Sequence, residues 1–329
     1  MKQTTYILLL ITAGTLCSCS TSRMDQTEPR QVFDEFWTWV DENYIYFEQK
    51  AVDWDSVYQV YVEEVEQVDT DEELFALMEQ ALLTLKDSHN RLESPNRRAK
   101  THSFTEGYDV HFSDALVSEH YLSDSLGSQG NLSWGLVQDS IGYIYLNDFR
   151  RYSAFRSVLE DMASRGVAKL IVDVRSNGGG DSNPIPALLS VLVEEETLLG
   201  SYIEKSGSAR DHVTAPIAER ADPDPDFHFS MPVVVLINRG SYSATSYFAA
   251  MMKGLPTVTL MGQRTGGGGG GNLGYQLSNG WLVAVSVSDF LDKEGQSIEP
   301  GVDPDVWVEN TAADIAAGRD QMLERAIEH

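Results

Sequence analysis

Twice in this chain a β-branched apolar run ends in a corner of small residues and passes straight into a helix-forming segment. The first run is Ile171-Val172-Asp173-Val174, which leads through Arg175-Ser176-Asn177-Gly178-Gly179-Gly180 to a helix expected over Ile185 to Val193. The second is Val233 to Ile237, which leads through Asn238-Arg239-Gly240-Ser241-Tyr242-Ser243 to a helix expected over Ala244 to Lys253. Strand, tight turn and helix in succession predict an α/β arrangement, and two such units can set their corners side by side at one edge of a sheet.

The second corner leaves Ser243 at a helix N-terminus, where free N–H groups of the first turn can stabilise an oxyanion. That is the setting of a nucleophilic serine, although the G-x-S-x-G spacing is absent. N-capping is the competing reading, because serine is a common cap. In the first corner the glycines let backbone approach a substrate, so Gly178 or Gly179 can supply one oxyanion donor and Ala244 the other. A phosphate-binding loop is the alternative there. Neither G-x-G-x-x-G nor G-x-x-x-x-G-K-[ST] is present to support it.

At this point the chain resembles the S41 serine peptidases, which include C-terminal processing proteases and tricorn-type proteases. The resemblance rests on Phe33 to Trp54, Leu85-Lys86-Asp87-Ser88-His89, Ile141-Gly142-Tyr143-Ile144, the Asp173 to Gly180 run, the Ser243 corner, Gly262-Gln263-Arg264-Thr265-Gly266-Gly267 and Glu299-Pro300-Gly301-Val302-Asp303-Pro304-Asp305, in that order. It implies a ClpP/crotonase-like α/β catalytic core. Processing proteases use a lysine base from the loop after the strand that follows the nucleophile helix, yet Gly262 to Gly271 holds no lysine. Lys253 and Lys293 do not match that position. The tricorn-type branch uses a histidine beside a serine that links it to a glutamate, which Ser88-His89 and Glu299 match. The resemblance thus implies Ser243 as nucleophile, His89 as base, Ser88 as relay and Glu299 as the orienting carboxylate. It implies no cofactor or metal.

The 329 residues suffice for about two domains, and a formal charge of −26 argues against nucleic acid and anionic lipid as partners. Lys2 with the apolar run Tyr6 to Leu16 reads as a signal peptide over 1–18. Leu16-Cys17-Ser18-Cys19 resembles a bacterial lipobox, with Cys19 as the lipidated first residue of an exported cell-envelope protein and 19–30 as a tether. An ordinary secretory signal is the alternative. Both cysteines lie here, which leaves no disulfide in the mature chain.

Apolar residues at helical spacing predict a small N-terminal helical domain over 31–92. Residues 93–140 read as an irregular connecting segment, too short for a PDZ domain. The α/β core is expected over 141–310, with a long surface loop from Glu204 to Phe229 and a hairpin turning at Asn279-Gly280. Six glycines, Gly266 to Gly271, lie inside the segment expected to form that hairpin and read either as a flexible run or as a place for close approach of a substrate strand. A C-terminal helix is expected within 311–329. The function these readings favour is peptide hydrolysis through an acyl-enzyme. A non-catalytic protein of the same fold, holding peptides or a small apolar ligand, is the alternative.

Overall fold

The computed structural model describes residues 28–150 and 152–329. Cys19, the leader over 1–18 and most of the tether lie outside the described residues. In chain order the elements are α1 (Pro29–Asn43), α2 (Trp54–Val65), α3 (Asp71–Leu83), β1 (Arg91–Ser94), β2 (Arg97–Arg98), α4 (Asp114–His120), β3 (Leu122–Gln129), β4 (Leu132–Val137) and β5 (Ile141–Leu146). There follow α5 (Phe155–Ser164), β6 (Lys169–Asp173), α6 (Ile185–Leu189), β7 (Thr197–Glu204), β8 (Ile217–Ala221), β9 (Val233–Ile237), α7 (Ala244–Met252) and β10 (Val258–Gly262). The chain closes with β11 (Asn272–Gln276), β12 (Leu282–Ser286), β13 (Ser288–Leu291), β14 (Val306–Trp307), α8 (Ala312–Ala316) and α9 (Gln321–Glu328).

A seven-stranded sheet in the order β14-β10-β9-β6-β5-β4-β3 forms the centre. Strands β5, β6, β9, β10 and β14 run parallel, whereas β3 and β4 are antiparallel additions. Both faces of the parallel part are covered, so its strands read as continuous apolar runs. Side chains still alternate: Val172, Val233, Val235 and Ile237 enter one core, while Ile171, Val234 and Leu236 enter another that α9 closes. This is the α/β core that the two strand-corner-helix units call for.

The N-terminal helices do not close a core alone. Val32, Phe33, Phe36 and Val40 of α1 share a cluster with Leu277, Trp281, Val283 and Val285, from the far end of the sequence. These helices thereby cover a four-stranded sheet, β11-β12-β1-β2. A capping box at Thr70 and Glu73 starts α3, and α3 leads towards His89.

Three expectations need correction. The segment 93–140 is not irregular: it carries α4, β3 and β4, and the strands were hidden because β3 is polar, half-exposed and twice shifted in register. The loop expected from Glu204 to Phe229 contains β8, which pairs with β7, although Glu219 and Arg220 break its apolar pattern. The C-terminal helix is two, α8 and α9. Gly318, at φ +74°, ends the first, and the Asp320 carboxylate caps the second.

Candidate active site

Strands β6 and β9 are hydrogen-bonded neighbours, with Asp173 opposite Leu236, so the corners that follow them stand side by side at the carboxyl ends of the parallel strands. A buried guanidinium braces the first corner: Arg175 pairs with Asp173 at 2.6 Å and with Asp320 at 2.8 Å. Ser241 braces the second, its hydroxyl donating to the Val174 carbonyl at 2.8 Å. A Cβ on Gly179, at φ +97°, would lie 2.8 Å from the Ser243 Cβ and 2.9 Å from the Ala244 nitrogen. Only glycine permits that approach.

Ser243 itself has φ 57° and ψ −123°, a backbone strain that persists only where its surroundings enforce it. The enforcement is visible. Its N–H donates to the Gly267 carbonyl at 2.8 Å, and Ser246 of α7 donates to the same carbonyl at 2.8 Å. Strain at Ser243 lifts its side chain off the helix start, where it caps no backbone group. The Ser243 Oγ instead meets the Nε2 of His89 at 2.9 Å.

His89 is gripped by its own backbone. The Asp87 carboxylate accepts the His89 N–H at 2.8 Å and the Ser286 hydroxyl at 2.9 Å, while the Asn272 amide donates to the His89 carbonyl. The imidazole packs against Tyr242 at 4.9 Å between centroids, and Tyr242 stacks on Phe104 at 4.0 Å. Burial holds the His89 pKa below the ordinary histidine value, with Lys50 and Arg91 acting in the same direction and Asp87 against it. The Nδ1 of His89 is buried and has no hydrogen-bond partner among the described residues.

The remaining candidates divide. Gly178 and Ala244 have N–H groups with no backbone acceptor among the described residues. Gly179, by contrast, donates its N–H to the Asn177 side chain at 2.9 Å, so it serves as the close-approach position rather than as a donor. Glu299 is buried beside the glycine run but does not reach Ser88. Its carboxylate pairs with Lys50 at 2.7 Å and accepts the Gly269 N–H at 2.9 Å. Burial first, and Asp87 second, raise the Glu299 pKa to about 7 against the pull of Lys50. Among the described residues no hydrogen bond joins Glu299 to Ser88, and the Glu299 carboxylate contacts Lys50 and Gly269 instead.

Lys50 and Asp87 lie within the stretches that carry the resemblance, but the sequence assigns neither of them a role at the site. The only signal for Asp87 was a carboxylate two residues before a histidine, a spacing that lets it accept the histidine N–H. Lys253 and Lys293 are engaged elsewhere, at Asp303 and Glu294. Among the described residues no group of His, Cys, Asp or Glu side chains is gathered as metal ligands would be.

The glycine run is neither loose nor part of a hairpin strand. Gly266 to Gly270 are buried, and a Cβ on Gly268 would lie 2.9 Å from His89 Cε1 and 2.6 Å from the Tyr242 ring. These glycines form the floor on which the histidine rests.

Set against known proteins, the model of peptidase family S41 matches residues 140–308, just over half of the chain, and that of the tricorn protease C1 domain matches 25–82. The chain belongs to peptidase family S41. A crystallised protein from Parabacteroides merdae, named as a candidate peptidase, is 36% identical with a TM-score of 0.85, over 92% of this chain and 96% of that one. Among curated S41 relatives, the chloroplastic C-terminal processing peptidase of Tetradesmus obliquus is 30% identical over 178 residues, which is 53% of this chain and 36% of that protein. The carboxyl-terminal-processing protease of Synechocystis is 27% identical over 57% of this chain and 43% of that protein. The chain thus spans well under half the length of these curated S41 relatives.

Proposed function

We propose that this S41 chain is a serine endopeptidase or carboxyl-terminal-type peptidase that works through an acyl-enzyme, with Ser243 as nucleophile and a histidine, His89, as its base. The observation that carries the reading is the 2.9 Å contact between His89 Nε2 and a strained, uncapped Ser243. His89 takes the hydroxyl proton as Oγ attacks the peptide carbonyl carbon. The oxyanion is held by the N–H groups of Ala244 and Gly178. As the C–N bond breaks, His89 returns the proton to the leaving amine, and water then hydrolyses the ester by the same steps in reverse order of roles. The residues supply neutral imidazole readily, since burial disfavours its protonated form.

Two parts of the reading go beyond that contact. Ser88 and Glu299 are proposed as further members of the catalytic set, with Asp87 steadying His89 through its backbone N–H. Cys19 is proposed as a lipid attachment site of an exported envelope protein; no described helix is long and apolar enough to cross a membrane. One observation favours the alternative of a non-catalytic binding protein: the unpartnered Nδ1 of His89, where a triad would place a carboxylate. A fluorophosphonate decides between the two. The peptidase is labelled at Ser243 in the wild type and not in His89→Ala, whereas a binding protein is labelled in neither.

A further inference from the structure

Among the described residues strand β11 is an open edge of the four-stranded sheet, and all five of its residues are exposed. Its pairing fixes which backbone groups are free. The Val287 N–H donates to the Gly271 carbonyl at 2.8 Å and the Leu277 N–H to the Trp281 carbonyl at 2.8 Å. Residues 271, 273, 275 and 277 consequently bond towards β12, and Asn272, Gly274 and Gln276 turn their N–H and C=O groups outward.

Other edges of the molecule are guarded. Strand β3 carries Asp124 and two register shifts, and β8 carries Glu219 and Arg220 opposite a register shift in β7. Strands β2 and β14 are only two residues long, and β13 is largely buried. By contrast Asn272-Leu273-Gly274-Tyr275-Gln276 has no charge, no proline and no shift, and it exposes Leu273 and Tyr275. An unguarded edge of this kind invites another strand. Its position gives it a use: the same Asn272 that starts β11 holds the His89 carbonyl through its side chain, so the open edge begins beside the His89–Ser243 pair.

We propose that the free edge of β11 is the docking site for the substrate polypeptide, which adds to the sheet as a further strand and runs on into the Ser243 corner. Main-chain hydrogen bonds to Asn272, Gly274 and Gln276 give affinity without demanding a particular sequence, and five residues reach about 17 Å from the site. This rests on the peptidase reading, and its test keeps the two apart.

The probe is a synthetic randomised decapeptide library, offered to the full chain immobilised as Ser243→Ala, beside the same library with every backbone amide N-methylated. Docking on β11 retains the plain library at least about tenfold better than the methylated one. In the same background Gly274→Pro removes the outward N–H and abolishes that preference. Gly274→Ala keeps the N–H, meets nothing nearer than the Leu282 side chain at 3.4 Å and preserves the preference. Equal retention of both libraries, or a preference that survives Gly274→Pro, overturns the proposal. Fluorophosphonate labelling of the wild type reads the other question: labelling without a library preference leaves a peptidase that docks its substrate elsewhere, and a preference without labelling leaves a strand-docking edge on a protein that is no peptidase.

Discussion

The Nε2 of His89 stands 2.9 Å from the Oγ of Ser243, while Ser241, two residues earlier, turns its hydroxyl into the protein to bond Val174. Two serines of one corner thus have opposite work. Ser243→Ala is expected to lower peptide turnover by roughly a million-fold, as loss of a serine nucleophile does, with little change in stability. Ser241→Ala is expected to cost about 1–3 kcal/mol of stability, since it leaves the buried Asn238 N–H without its acceptor and leaves the Val174 carbonyl with only the Asn177 N–H. Steady-state kinetics and urea unfolding of both variants check this; activity lost in Ser241→Ala and kept in Ser243→Ala would reverse the assignment.

The base should work below the usual histidine range. Burial lowers the His89 pKa, so kcat/KM is expected to rise with pH through a midpoint under the reference of about 6.5. Lys50 contributes to that lowering because a nearby cation disfavours imidazolium. Lys50→Met should therefore move the acid limb to higher pH, whatever it does to the maximal rate. An unmoved or lower midpoint in the variant would show that Lys50 does not act on His89.

How much of this was legible in the chain depends on how local the cause was. The central strands and the Ser243 corner were readable because Val233–Ile237 and the helix after it are contiguous and strongly patterned. His89 and Glu299 were reached only through family resemblance, since nothing local distinguishes either. The pairing of Glu299 with Lys50 could not be read at all: it depends on where a loop after α1 lands, some 250 residues away in sequence. Strand β3 escaped because its edge position lets it be polar, and β8 because charged residues guard it. The glycine run was ambiguous between looseness and close packing, and the packing of His89 on Gly268 is a tertiary fact.

That packing is testable. Gly268 sits at φ +79°, and an added methyl would press on His89 and on Tyr242. Gly268→Ala is expected to lower kcat about a hundredfold by displacing the base, which is what an error near 1 Å costs a positioned group. Neighbouring Gly271, exposed and facing only the Ser288 hydroxyl at 2.8 Å, should tolerate alanine far better. Similar losses in both variants would mean that the run matters for flexibility rather than for seating His89.

Behind the glycine floor, Asp289 is a buried carboxyl that accepts the Tyr46 hydroxyl at 2.9 Å. Burial raises its pKa to about 6, although the hydrogen bonds from Ser297 and Tyr46 oppose the rise. The folded state therefore binds this proton more tightly than the unfolded chain, where an aspartate titrates near 3.9. Stability from this group is complete below about pH 4 and is lost as pH rises through about 6. Asn at this position stays neutral and escapes the loss. Asp289→Asn is thus expected to gain stability relative to the wild type as pH rises from about 4 to 7, by up to about 3 kcal/mol. Urea midpoints across that range measure it. A difference between the two proteins that does not change with pH would mean that Asp289 is ionised throughout, and that its contact with Tyr46 outweighs its burial.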